Sequence, residues 1–318
     1  MGLRRFILRR LLLIGPIMIG VSLITFGLMQ LAPSGPVELI TAFQQNVSPQ
    51  DKAQLRARYG LDEPVWKQYL IWMSNVLQGD LGEVIGSGRS VNGILMRRIP
   101  PTIALGLFGW VIALVVAVPT GIYAAVNKDQ FGDDASRVIA LTGISLPNFW
   151  LGLMLMLVFA VELDLFPVLA PRDTPLWHPK MLWFLLLPGI TIGTASASTL
   201  MRIMRSSMAE EMNKEYVTAA RAKGLPERTV ILKHVLRNSL ISVTTVAAFL
   251  TASILAGSVV VEVVFGWPGL GRELVNAINA RQVNLIMAIT LFTGVALVIA
   301  NLLADIAYAA LDPRISYE

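Results

Sequence analysis

Site chemistry most often falls to Cys, His and paired carboxylates, and this 318-residue chain offers few of them in working arrangements. It has no Cys, which excludes thiolate catalysis, disulfides and Cys-based metal centres. Its two His, His178 and His234, lie far apart in sequence, no His-Glu-x-x-His occurs, and a lone imidazole makes a poor metal site. No Gly-x-x-x-x-Gly-Lys-Ser/Thr is present, so the chain lacks the backbone cradle that holds a nucleotide phosphate. Glu262 and Asp305 are ionisable groups set in apolar surroundings, where such groups are functional candidates by default. Both are expected close enough to an interface to be solvated or salt-bridged, with Glu262 the better candidate for a pathway residue. For Asn301 an interhelical hydrogen bond is expected. An enzyme working inside a bilayer would need a nucleophile and base, or metal ligands, within its apolar segments. No His falls in any of them. No catalytic residue, cofactor site or metal site is assigned.

The elements that would position these residues are apolar. The chain is 55% hydrophobic and only 15% charged, against roughly 25% charge in a typical soluble domain. Its mean hydropathy of +0.64 comes in blocks. Six of them, at roughly 10–31, 102–126, 136–163, 181–203, 239–264 and 284–309, can cross about 30 Å of hydrocarbon as helices. The sequence therefore predicts an all-α integral membrane protein with six transmembrane helices. Pro119, Pro147 and Pro188 interrupt three of the blocks and are candidate kinks. The net charge of +5 is not gathered on one face but sits at the ends of apolar blocks, which argues against nucleic acid.

Lys and Arg set the orientation. Arg4, Arg5, Arg9 and Arg10 precede the first block, which ends without a small-residue cleavage site and reads as an uncleaved helix. The 202–238 connection carries Arg202, Arg205, Lys214, Arg221, Lys223, Arg228, Lys233 and Arg237. The opposite short loops hold only Arg172, Lys180, Arg272 and Arg281. Both termini and the 202–238 loop are therefore expected in the cytoplasm, and the chain in the cell membrane. The 32–101 segment carries seven Lys and Arg on the outer side, but loops that long cross largely regardless of charge.

The chain divides into 1–31, the first helix; 32–101, an outer loop; and 102–318, the core with its cytoplasmic loop. In the outer loop, Ser48-Pro49-Gln50-Asp51 is a helix start, followed by Leu55, Tyr59 and Leu61 as an apolar side. A second helix is predicted from about Pro64 to Leu77, with Trp66, Tyr69, Leu70, Met73 and Leu77 on one face. Together they predict an outer helical cap after helix one. Trp177, Trp183 and Trp267 fall at outer helix ends, where an aromatic belt would place them.

The 215–228 stretch reads Glu215-Tyr216-Val217-Thr218-Ala219-Ala220-Arg221-Ala222-Lys223-Gly224-Leu225-Pro226-Glu227-Arg228. It predicts a helix of small residues, a stop at Gly224, a restart at Pro226 and a second helix through Ile231, Leu232, His234, Val235 and Leu236. Small side chains at Thr218, Ala219, Ala220 and Ala222 let another surface approach, while Arg221, Lys223, Arg228 and Lys233 can pair with its acidic groups. For His234, packing or partner contact is the expected role.

This stretch resembles the "EAA" loop of binding-protein-dependent ABC importer permeases. Glu215 precedes the Ala219-Ala220 pair, Gly224 follows at the family's spacing, and Leu236-Arg237-Asn238 closes the match. Further along the chain, Phe6 to Arg10, Leu31 to Pro36, Tyr59 to Pro64, Gly79-Asp80-Leu81-Gly82, Phe265-Gly266-Trp267-Pro268-Gly269-Leu270-Gly271 and Leu311 to Arg314 look like the dipeptide/oligopeptide/nickel permease family. Within it the chain is similar to the first of two paired permeases, the dipeptide-permease B-like type.

The resemblance implies a heterodimer with a homologous second permease, two ABC ATPase subunits that bind ATP and Mg, and an extracytoplasmic solute-binding protein. It makes the segment from Glu215 to Leu225, with His234, Arg237 and Asn238, an ATPase-coupling loop between helices four and five. Trp267, Pro268, Gly269 and Gly271 become an outer gate loop. Peptide is the expected cargo, with nickel chelate, glutathione or another small solute as alternatives within the same architecture.

Overall fold

A lipid-facing segment must satisfy its backbone hydrogen bonds within itself, and the secondary structure in a computed structural model of the chain is almost wholly helical. Residues 3–30, 50, 62–84, 87–171, 174–255 and 259–311 are described, with backbone only at 3–11, 28–29, 251–255 and 307–311. The expectations for Ser48, Pro49, Asp51, Leu55, Tyr59, Leu61 and Arg172, and for the motif residues 31–36, 59–61 and 312–314, lie outside the described residues, as do the side chains of Arg4, Arg5, Arg9 and Arg10.

The elements run α1 (Leu3–Gln30), α2 (Val65–Leu77), α3 (Val91–Val126), α4 (Phe131–Ser145), α5 (Asn148–Leu155) and a π-helical turn (Met156–Glu162). They continue with α6 (Pro179–Glu211), α7 (Glu215–Ala222), α8 (Glu227–Thr229), a π-helical turn (Val230–Val235) and α9 (Leu236–Leu255). The chain closes with α10 (Val259–Val264), α11 (Leu270–Asn279) and α12 (Val283–Leu311). By length and apolarity among the described residues, three helices qualify as membrane spans: Val91–Val126, Pro179–Glu211 and Val283–Ile306.

The predicted third span departs from a single helix. It is the pair α4–α5 with its π turn, bent by 105° at Leu146-Pro147. The residue before a proline is pushed out of the helical region, and Leu146 has ψ 129°. Pro119 and Pro188 lie inside α3 and α6 without ending them. α3 begins at Val91, earlier than the apolar block at 102, because Ser90 caps it by accepting the Gly93 N–H. It therefore crosses the outer-loop boundary expected at 101.

The central contact is α3 against α6. Gly109, Ala113, Ala117 and Gly121 recur every fourth residue on α3, where Gly109 and Ala113 meet Gly189 and Gly193 of α6 and Gly121 meets Met201 and Met204. A Cβ at Gly193 would lie 2.7 Å from the Gly109 carbonyl, so the two backbones touch at this crossing. Small residues at four-residue spacing permit this approach in a bilayer. The sequence analysis did not single out this stripe.

α2 packs on α1 and α12 through Tyr69 and Trp72, whose rings lie 5.5 and 5.8 Å from Phe26. Its buried side is thus rotated from the predicted one: Trp66, Leu70 and Leu77 are exposed. Tyr69 shares a 2.8 Å hydrogen bond with Ser22, which is buried on α1.

Candidate functional site

Two corners of the chain carry the residues singled out by sequence. The first joins α6 to α9. Glu215 opens α7, and Gly224 ends it at φ +73°, a left-handed conformation that costs other residues roughly 1–2 kcal/mol. Nothing lies within 4 Å of a Cβ built there, so conformation alone, not space, calls for glycine. Arg221 spans the turn, its Nε and Nη2 donating to Glu227 at 3.1 and 2.6 Å. The guanidinium holds the Glu227 carboxyl below the usual carboxylate range.

The underside of α7 is fixed by packing. Val217 and Ala220 are buried in one apolar cluster with Met204 and Met208 of α6, and α7 packs on the following turn, whose Val230 and Val235 belong to the same cluster. Ala220 therefore does not belong to the accessible surface that the sequence suggested. The outward face is Thr218, Ala219, Arg221, Ala222, Lys223, Gly224 and Leu225, all exposed. Tyr216 donates a 2.6 Å hydrogen bond to Glu211, and burial and then that bond raise its pKa, keeping the donor protonated. His234 is half-buried and Arg237 exposed. The second loop helix is continuous through the π turn into α9, so this corner and the helix beyond it form one rod.

The second corner joins α10 to α11 and is buried. Glu262 is 1% exposed, which corrects the expectation of a solvated or salt-bridged carboxylate. Its Oε1 accepts from Thr102 at 2.8 Å and its Oε2 from the Arg272 N–H at 3.0 Å. Thr102 in turn accepts the Leu270 N–H at 2.7 Å. Four polar groups from two distant segments, the Glu262 carboxylate, the Thr102 hydroxyl and the Leu270 and Arg272 N–H groups, thus satisfy one another, and the carboxylate caps α11.

Trp267 is also corrected: it does not belong to a surface belt but is fully buried. It stacks on Phe184 at 5.8 Å, and its indole N–H donates to the Pro101 carbonyl at 2.9 Å. Gly269 is buried, and a Cβ there would lie 2.4 Å from the Glu262 carboxylate. Pro268 and Gly271 are half-buried, and Arg98 holds the turn from outside, donating to the Pro268 carbonyl and pairing with Glu273 at 2.9 Å. The arrangement is a rigid corner fastened to the start of α3.

The other singled-out residues have structural places. His178 caps α6 by accepting the Lys180 N–H at 3.2 Å. Trp177 and Trp183 are exposed, and Trp183 stacks on Phe166 at 4.5 Å. Asp305 is buried and has a partner, so of the two expected states, solvated or salt-bridged, it is not the solvated one. Asn301 is exposed on α12, and the interhelical hydrogen bond expected of it is not formed among the described residues. Sequence reasoning passed over Thr102 and Asp133, whose partners lie 160 and 72 positions away, beyond any local pattern.

The chain is similar to known proteins along nearly its whole length. Residues 117–317 match the family "Binding-protein-dependent transport system inner membrane component", and residues 3–106 match "Binding-prot-dependent transport system membrane comp, N-term". The oligopeptide transport system permease protein AppB of Bacillus subtilis (strain 168) is 37% identical over 98% of this chain and 99% of its own length. The dipeptide transport system permease protein DppB of Escherichia coli (strain K12) is 35% identical over 99% of both chains. Among solved structures, an inward-facing MetNI methionine ABC transporter chain shares the fold at TM-score 0.51 and 15% identity, covering 69% of this chain and 96% of that one. With a family model spanning most of its length and relatives matched from end to end, this all-helical chain belongs to the binding-protein-dependent transport system inner membrane component family.

Proposed function

We propose that the chain is a transmembrane permease subunit of a peptide importer driven by ATP, and that α7 is its coupling helix. The observation that carries this reading is the two-sided build of α7. Its underside is locked by Val217 and Ala220, while Thr218, Ala219 and Ala222 leave a low, exposed face rimmed by Arg221 and Lys223. A surface that is rigid, small in side chains and cationic suits insertion into a groove of another protein. The partners are two ABC ATPase subunits, which bind ATP and Mg, together with a homologous second permease and an extracytoplasmic solute-binding protein.

The membrane arrangement has six crossings, α1, α3, the bent α4–α5 pair, α6, α9–α10 and α12, with both termini and α7 in the cytoplasm. α2 belongs to an outer cap after α1, and the 267–271 corner lies beneath the binding protein as an outer gate element. Closure of the ATPases would move α7 together with the rod formed by its turn and α9, so that the helices rock around a central path. Peptide cargo is supported by the oligopeptide and dipeptide permease names of the AppB and DppB relatives, which are similar over nearly their whole length.

The test is affinity capture of the tagged chain from its native membrane, followed by reconstitution into proteoliposomes. An ATPase should copurify, and its hydrolysis should rise with binding protein plus di- or oligopeptide. A response to nickel chelate or glutathione alone would keep the importer and replace its cargo. Capture of no ATPase would overturn the permease reading.

A further inference from the structure

The mechanism above uses α7 and the 262–271 corner but nothing that joins them. Asp133, the third residue of α4, is fully buried, an unusual place for a carboxylate. Arg205 of α6 grips it with two donors, Nε to Oδ1 and Nη2 to Oδ2, both at 2.5 Å. Arg137 adds a donor at 2.9 Å and the Asp129 N–H another at 3.1 Å. Arg205 is only 17% exposed.

A buried ion pair is weak evidence of stability, because desolvating both charges offsets their attraction. What a two-pronged guanidinium–carboxylate contact does supply is a fixed distance and angle between its two helices. α4 meets α6 tightly again further along, where a Cβ on Gly143 would lie 2.4 Å from Ser198 Oγ. Held at both places, α4 cannot slide along α6.

Arg205 sits one turn and a half before the end of α6 at Glu211, where Met204 and Met208 share one buried cluster with Val217 of α7 and with Val230 and Val235 of the π turn. Ser207 also donates to the Ser239 carbonyl of α9 at 3.3 Å. In the other direction, the 105° bend at Pro147 carries α4 into α5. There Gly152 faces Phe265 of the buried corner, and a Cβ on it would come within 3.0 Å of that ring. The buried cluster at the end of α6, the Arg205–Asp133 contact and the approach of Gly152 to Phe265 thus lie in series between α7 and the 265–271 corner.

We propose that Asp133 is a positioning residue for transport: clamped by Arg205, it makes the bent α4–α5 pair follow α7, so that displacement at the docking helix reaches the 265–271 corner. The inference rests on the importer reading and gives it a mechanical route.

The test compares cargo moved per ATP hydrolysed in the captured, reconstituted complex for wild type, Asp133→Asn, Arg205→Lys and the charge-swapped double variant Asp133→Arg/Arg205→Asp. Asp133→Asn should lower the ratio by about five- to hundredfold, the usual span of coupling between linked sites. Arg205→Lys, which keeps the charge but loses the fork, should fall between, and the swap should recover most of the loss. The absence of Cys allows a second readout, spin labels at Val138→Cys on α4 and Arg202→Cys on α6, both exposed. Their separation should stay constant between nucleotide-free and ATP-bound states in wild type and change when Arg205→Lys is added. If Asp133→Asn does not assemble, the lysine variant and the swap carry the decision. A wild-type ratio in Arg205→Lys, or a label distance that already changes in the parent, overturns the clamp. A parent complex with no ATPase overturns the importer reading and this proposal with it.

Discussion

At 262–272 the chain turns around a buried carboxylate, whereas at 221–227 it turns around an exposed ion pair. Both corners place glycine and proline between two helices, and both join a carboxylate to donors across the turn. In the first, Glu262 is 1% exposed and bonded to Thr102 and the Arg272 N–H. In the second, Arg221 and Glu227 are 43% and 55% exposed. Glycine serves different ends in each. Gly269 makes room for the Glu262 carboxylate, while Gly224 has nothing near it and supplies only φ +73°. A corner wired into the fold resists change through stability. A corner left open to solvent resists it through whatever binds there.

Substitutions sharpen or break that contrast. Glu262→Ala should have the largest effect: it strands the Thr102 hydroxyl and the Arg272 N–H in a buried site, costing about 3–5 kcal/mol. Thermal melting of the detergent-purified protein, followed by loss of the monodisperse size-exclusion peak, should show it. A wild-type melting point in this variant would mean that the corner is not built on its carboxylate. Gly269→Ala comes next, at about 1–3 kcal/mol, the usual penalty for overpacking, because its Cβ needs the space that Glu262 holds.

Gly224→Val should behave in the opposite way. The new side chain meets no neighbour, so this exposed turn can relax away from φ +73° instead of holding the roughly 1–2 kcal/mol of left-handed strain, and membrane yield and melting should stay close to wild type. The altered turn should instead weaken capture of the ATPase by about tenfold, the equivalent of roughly 1.4 kcal/mol of backbone strain. Gly224→Asn, which tolerates the left-handed region, should lose much less. Equal losses of stability from Gly224→Val and Gly269→Ala would erase the distinction between the corners.

Arg221→Gln should be the mildest, with under about a threefold change in ATPase capture, because exposed ion pairs contribute little and are screened by salt. Its pH dependence has a definite sign. The Glu227 carboxyl is held below its ordinary value, so its contribution is fully present above about pH 4.5 and is lost as pH falls through the lowered value. Amide exchange on α7 and α8 should therefore be flat from neutral pH down to about 5 after correction for the intrinsic rate, and rise only below that.

How much the sequence carried differs between the same two corners. Around α7 it was nearly complete: the helix, the Gly224 stop and the restart at Pro226 are local choices, set by caps and backbone preferences within a few residues. The sidedness was not. Ala220 and Ala219 are neighbours of the same type, yet one is buried and the other exposed, because the π turn and the apolar cluster it belongs to cover one side of α7 and not the other. Around Glu262 the residues were noticed but misplaced. Trp267 reads as a belt residue and Glu262 as a group near an interface until Phe184, Pro101 and Thr102 close over them.

The amino-acid sequence by itself determined that the chain is a helical membrane protein, where most of its helices lie and where its solvent-exposed helical corner stands. Composition, hydrophobic block length and capping are properties of short windows, and each residue carries its part without a distant neighbour. Only the tertiary structure decided that the third block bends by 105°, that Gly109 meets Gly193, that Trp267 turns inward and that Asp133 is held by Arg205. Most of these facts depend on which helix faces are brought together across tens of residues, and packing of whole helices, not local preference, makes that choice.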